Sequence, residues 1–216
     1  MKYLYVATFV MLLVGCQKEN FEIVEEEQET SFVLDAESKE MIQSVTSHDG
    51  RFDDVVDKSS CFSINFPYEV IQEGKAIPIE GIEDLESLNP YLPVIPKFPI
   101  EISFATYETL SVPSESEFNS LVVSCANGQL YDDRIVCVDF EYPISVSIYE
   151  TQSQSFETLI FNHDKDVFMG VKEIPLDALV NLQFPITLHY YDGTYRVIQD
   201  IEDLKQSIIR VIAVCN

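Results

Sequence analysis

Val138-Asp139-Phe140-Glu141-Tyr142-Pro143-Ile144 is the stretch on which the fold turns. Apolar residues at 138, 140 and 142 alternate with acidic ones, the period-two pattern of a strand with one buried face. Pro143 interrupts it, because proline has no N–H to give a ladder and marks an edge, a bulge or a bend. The same aromatic-proline-apolar signature returns as Phe66-Pro67-Tyr68, Phe98-Pro99-Ile100 and Phe184-Pro185-Ile186. Phe62, Ile64 and Phe66 repeat the alternation ahead of Pro67.

Downstream of each proline the pattern predicts a turn, a second strand and a helix start. Glu73-Gly74 and Asp192-Gly193 are the clearest turns, and Asp-Gly between alternating runs is a strong hairpin signal. Gly81-Ile82-Glu83-Asp84-Leu85 matches Asp200-Ile201-Glu202-Asp203-Leu204 as a helix start. Ser114 stands three residues before Glu117 as an N-cap, and Asn162-His163-Asp164 opens the remaining helix. The expected fold is therefore α+β: four strand–strand–helix units in two duplicated halves, an antiparallel sheet with helices on one face.

The cysteines follow the repeat at double length. Cys61 and Cys137 each lie six residues before a signature proline, and Cys125 and Cys215 each fall near the end of a second helix. Two symmetric pairings result: Cys61–Cys125 with Cys137–Cys215, or Cys61–Cys137 with Cys125–Cys215. The first closes each half separately and is preferred. No C-x-x-C spacing points to zinc or to redox chemistry.

The chain has 37 acidic and 13 basic residues, a net charge of −24. That balance opposes nucleic-acid binding, which rests on Lys and Arg neutralising phosphates. With 14 Phe, 11 Tyr and 46% hydrophobic residues, the sequence can fill a sizeable core.

The N-terminus reads as a secretory signal over residues 1–15: Lys2, an apolar run from Tyr3 to Val14, then Gly15. Leu13-Val14-Gly15-Cys16 resembles the lipobox of bacterial lipoproteins, which implies acylation of Cys16 and a lipid tether to the membrane. Gln17-Lys18-Glu19, with the acidic cluster through Glu29, is similar to the export signal of Bacteroidota lipoproteins displayed on the cell surface. The resemblance implies an outer-membrane address, with the periplasmic face as the alternative. The aromatic-proline repeat resembles repeats of secreted Bacteroidota lipoproteins, a family with no activity to carry over. Residues 16–60 read as an acidic tether, with a short helix in Ser31–Ser47, ahead of an α+β domain over 61–215 (halves 61–125 and 137–215).

Chemistry is sparse. There is no G-x-S-x-G elbow, zinc-binding H-E-x-x-H, P-loop or dinucleotide glycine pattern. His48, His163 and His189 are scattered through linker, helix start and strand. Asn162, Asp164, Asp166 and Glu173 occupy positions 1, 3, 5 and 12 of a calcium loop, but Val167 replaces the glycine needed at position 6. The helix cap accounts for Asn162 and Asp164 without metal, so neither metal nor cofactor is expected. The leading expectation is a non-catalytic surface module that binds a protein or glycan or joins an assembly, with His189-Tyr190-Tyr191 as one contact candidate. The rival is a tethered hydrolase, perhaps a glycosidase with two carboxylates.

Overall fold

Each aromatic-proline pair sits at a break between two strands, and the strands on either side of it belong to different sheets. In the computed structural model, which describes residues 32–33, 35–175 and 178–213, all four signature prolines follow cis peptide bonds. The short strand β1 (Phe32–Val33) and helix α1 (Ala36–Thr46) come first. Unit 1 is β2 (Phe62–Ile64), β3 (Tyr68–Gln72), β4 (Lys75–Ile79) and α2 (Ile82–Leu85). Unit 2 is β5 (Val94–Pro96), β6 (Ile100–Phe104), β7 (Thr109–Val112) and α3 (Glu115–Ala126). Unit 3 is β8 (Val138–Phe140), β9 (Ile144–Glu150), β10 (Ser155–Phe161) and α4 (Asp164–Glu173). Unit 4 is β11 (Leu179–Leu182), β12 (Ile186–Tyr190), β13 (Tyr195–Ile198) and α5 (Ile201–Ile212).

The α+β class holds, but the single sheet does not form. Four small antiparallel sheets take its place, in the orders β4-β3-β5, β2-β6-β7, β1-β11-β9-β10 and β13-β12-β8. Each unit's hairpin pairs with the pre-proline strand of the other unit in the same half. Thus β2 of unit 1 joins β6 (Phe62 opposite Phe104, Ile64 opposite Ile102), while β5 of unit 2 joins β3 (Pro96 opposite Val70). Half 2 repeats the exchange, with β8 on β12 and β11 on β9. One hydrogen bond marks the exchange in all four units. The residue two before the proline donates its N–H to the carbonyl two after the partner unit's proline. These bonds are Asn65 to Glu101 (2.8 Å), Lys97 to Glu69 (2.8 Å), Glu141 to Thr187 (2.9 Å) and Gln183 to Ser145 (2.9 Å).

The physical cause is legible locally. A proline cannot continue the ladder, so the chain bends there and its two arms satisfy their backbone groups against different neighbours. Each half consequently builds its own core from two sheets. In half 1, Phe62, Ile64, Val70, Ile79, Ile102 and Val112 are buried together. In half 2 the core holds Phe140, Val146, Leu188, Ile198, Leu204 and Ile208.

The helices begin where the caps foretold. Ser114, His163 and Asp200 accept hydrogen bonds from Glu117 N, Asp166 N and Asp203 N. Gly81 has no side chain to cap with, and Asp84 instead reaches back to Glu80 N and Gly81 N. α2 stops after one turn, and Asn89-Pro90 and Pro93 follow soon after. α5, from a matching start, runs for 12 residues.

Residues 35–60 are not tether. α1, capped by Asp35, buries Ile42 and Val45 in half 2. Phe52, Val55 and Val56 pack on half 1. Burial of these apolar side chains, at about 25 cal/mol per Å2 removed from water, and the backbone hydrogen bonds of α1 together offset the entropy of ordering the segment. The segment also covers the edge of β2, where Asp53 Oδ2 accepts the N–H of Ile64 at 2.7 Å. Gly50 permits this approach: a Cβ there would meet the Phe62 backbone N and O at 2.7 Å. Residues 1–15, expected as a signal segment, Cys16, residues 17–31, expected as tether, and Cys215 lie outside the described residues.

Candidate functional site

The strand exchange leaves a groove at the crossing of each proline pair. In half 1 it is lined by Phe66-Pro67-Tyr68 and Phe98-Pro99-Ile100 and encloses about 770 Å3. Its counterpart in half 2, between Tyr142-Pro143 and Phe184-Pro185-Ile186, encloses about 340 Å3. The larger groove carries Glu69, Glu80 and Glu101. Lys97 pairs with Glu69, and Asn65 Nδ2 donates to Glu101 at 2.7 Å, so two of the three carboxylates are engaged. A glycosidase needs one carboxyl raised beside a second. The carboxyls that burial raises most, Asp53 and Asp57, do not line this groove.

Exposed apolar surface gathers elsewhere, on the outer face of the β1-β11-β9-β10 sheet. The inner faces of β9 and β11 bury Ile144, Val146, Ile148, Val180 and Leu182. Alternation turns Tyr149, Phe156, Ile160 and Leu179 outward. Leu179 stands opposite Tyr149, and Tyr149 opposite Phe156, giving one apolar row across three strands. Phe156 is 69% exposed and Ile160 61%. The next row is polar: Asn181 and Thr158 flank Ser147, whose hydroxyl lies 3.3 Å from that of Thr158. Contiguous apolar area of this kind marks contact surfaces. The candidate strand His189-Tyr190-Tyr191 divides: Tyr190 packs against the core of half 2, while Tyr191 is exposed. His189 Nε2 bonds to Glu141 at 2.9 Å, and Tyr195 lies beside its ring.

Among the described residues, the closest approach to a nucleophile–base pair lies in what reads as linker. His48 Nε2 is 2.6 Å from Ser63 Oγ. Burial first, then the Arg134 charge, pushes the imidazole below its ordinary pKa. Ser63 itself is buried and lines neither groove, so no substrate carbonyl reaches it there. The pair instead belongs to the joint between the halves. There the Tyr107 ring contacts His48 and Phe168, and its hydroxyl donates to Thr46 O at 2.8 Å. Tyr142 donates to Asp164 Oδ1 at 2.6 Å, while Arg134 approaches Asp164 at 3.7 Å and Asp49 at 3.9 Å. Burial raises Asp164, partly countered by the Tyr142 hydrogen bond and by Arg134.

The four calcium-loop positions do not converge. Asp164 through Glu173 is regular helix, so its ends stand about 13 Å apart at 1.5 Å per residue. Asp166 is used as the cap, accepting Asn162 N at 3.0 Å. Cys61 and Cys125 form a disulfide, as the preferred pairing expects, and Cys137 is also disulfide-bonded. Asp132 lies near the first pair, but disulfide sulfurs are not the thiolates a metal needs.

A second cluster went unread in the sequence. Asp53 and Asp57 are 0% and 1% exposed, four residues apart on a helical turn in which Asp57 N donates to Asp53 O. Burial pushes both carboxyls well above the usual range, and for Asp57 the Asp53 charge adds to it. Spacing i to i+4 in an acidic stretch was the available signal, masked by the absence of longer periodicity.

These features define a duplicated, disulfide-closed α+β module with an exposed aromatic sheet face. Set against protein-family models, curated proteins and solved structures, the chain matches none of them.

Proposed function

We propose that this protein is a lipid-anchored lipoprotein of the outer membrane, displayed at the cell surface, whose folded module binds or assembles with a protein or glycan. The lipobox-like Leu13-Val14-Gly15-Cys16 and the acidic segment after it support the address. The observation that carries the binding role is the row Leu179–Tyr149–Phe156, apolar side chains held outward on an ordered sheet, with Ile160 further along β10 beyond the polar row. Tyr and Phe give large contact area for little conformational entropy, and a polar row of Ser147, Thr158 and Asn181 lies next to it.

The address is tested in intact cells. Cys16→Ser is expected to abolish palmitate incorporation and membrane retention, and proteinase K added outside is expected to digest the native protein. Protection until the outer membrane is broken would instead put the module on the periplasmic face.

A further inference from the structure

We infer that Asp53, Asp57, Ser59 and Tyr68 form a binding site for a single hard divalent cation, with calcium the best fit. A backbone amide holds one oxygen of each carboxylate: Ile64 N donates to Asp53 Oδ2 at 2.7 Å, and Ser59 N to Asp57 Oδ1 at 3.1 Å. The other oxygen of each, Asp53 Oδ1 and Asp57 Oδ2, is buried and without a hydrogen-bond partner. The Ser59 and Tyr68 hydroxyls share that condition. All four groups are drawn from one neighbourhood. Ser59 bonds directly to Asp57 through its backbone, and Tyr68 lies within reach of the charges of both aspartates. Ser59 is 3% exposed and Tyr68 8%, so bulk water does not satisfy them.

Charge points the same way. Neither aspartate forms an ion pair among the described residues: Arg51 and Arg134 engage Asp49 and Asp164. Two buried carboxylates without a cation are costly, and two negative charges match a divalent ion. The donors are all oxygen, which selects hard cations over zinc or copper. Calcium accepts irregular shells of six to eight oxygens, so water or carbonyl oxygens would complete the four side-chain donors, whereas magnesium demands a near-ideal octahedron that an irregular nest suits poorly. The amides on the outer oxygens serve as the supporting shell that fixes ligand orientation. Bound there, the ion would tie the 51–59 turn to β3 through Tyr68 and lock the covered edge of half 1.

The test is calorimetric titration of the full, chelator-treated chain with calcium chloride, with thermal melts in parallel. One calcium per chain is expected, with a higher melting temperature, and weaker binding of magnesium. Asp57→Asn should lower the calcium affinity by more than about tenfold, because affinity follows ligand charge. It should also melt no lower than the native chain in chelator, since it removes a buried charge. Ser59→Ala and Tyr68→Phe, milder changes, should each weaken binding, and Glu115→Gln on α3 should not. Equal calcium heat in native and Asp57→Asn chains would mean that surface acids bind the ion, overturning the site. No heat and no melting shift would mean that the carboxyls share a proton or an ordered water, which overturns it equally.

Discussion

On the sheet β2-β6-β7 of half 1, the face turned away from the core carries Ser63, Ser103, Thr109, Glu101 and Ser111. The equivalent face of β8-β12-β13 in half 2 carries Asp139, His189, Tyr195, Thr187 and Val197. The contrast sharpens at the other sheet of each half. β3 and β4 of half 1 are five residues each and close through Glu73-Gly74, while β9 and β10 of half 2 are seven each. The extra length holds Tyr149 and Phe156 outward, and β1 widens that sheet by a strand. On the matching sheet of half 1 the outward row is Ala76, Ile71 and Ile95, so the same strand exchange presents a small aliphatic row there and the aromatic row Leu179, Tyr149 and Phe156 in half 2. The topology is duplicated while the surfaces differ, and under the proposed binding role half 2 would make the contact and half 1 support it.

The largest effect should come from the staple of half 1. Cys61→Ala with Cys125→Ala opens a link across 64 residues and is expected to cost about 4 kcal/mol in denaturant unfolding. Hydrogen exchange should accelerate first in half 1; equal acceleration in both halves would mean that their cores unfold as one. Core truncations sharpen the point. Ile102→Ala and Leu188→Ala, both fully buried, should each cost about 2–5 kcal/mol. Each should lower protection chiefly within its own half, because the two side chains belong to separate cores.

Smaller effects probe the strap that joins the halves. Asp35 caps α1 through Ser38 N at 2.7 Å and accepts from Lys205 on α5 at 3.0 Å. Asp35→Ala should cost about 1 kcal/mol at neutral pH. The Ser38 hydrogen bonds first, then Lys205, hold the Asp35 carboxyl at about 2, below its ordinary 3.8. Its contribution is therefore complete above about pH 4 and is lost as pH falls towards 2. Asp35→Asn should flatten that part of the stability–pH curve; an unchanged slope would remove the cap from the account. Least of all, Phe156→Ser should shift the unfolding midpoint hardly at all, since a 69% exposed ring gives up little burial.

Much of this was legible in the chain. The four aromatic-proline pairs gave the strand breaks, Ser114 and Asp200 the helix starts, and Cys61 and Cys125 their pairing. The exchange of pre-proline strands was not legible, because the alternation of Phe62, Ile64 and Phe66 states which face is buried but not which strand lies beside it. Partner choice is non-local, set by how two bends pack together. His48, Asp53 and Asp57 were missed for a related reason. Their segment is polar and aperiodic, and it is ordered by what it covers, the edge of β2, rather than by its own pattern. The outward row Leu179–Tyr149–Phe156 required the register, since nothing in those three residues alone distinguishes core from surface.

The division of labour between the halves is tested most directly by a photo-crosslinking amino acid placed in living cells at Phe156 of half 2 or at Tyr91 of half 1, two exposed aromatic positions. That division predicts a discrete crosslinked species from position 156 and none from position 91. Crosslinks from 91 alone, or equally from both, would contradict it.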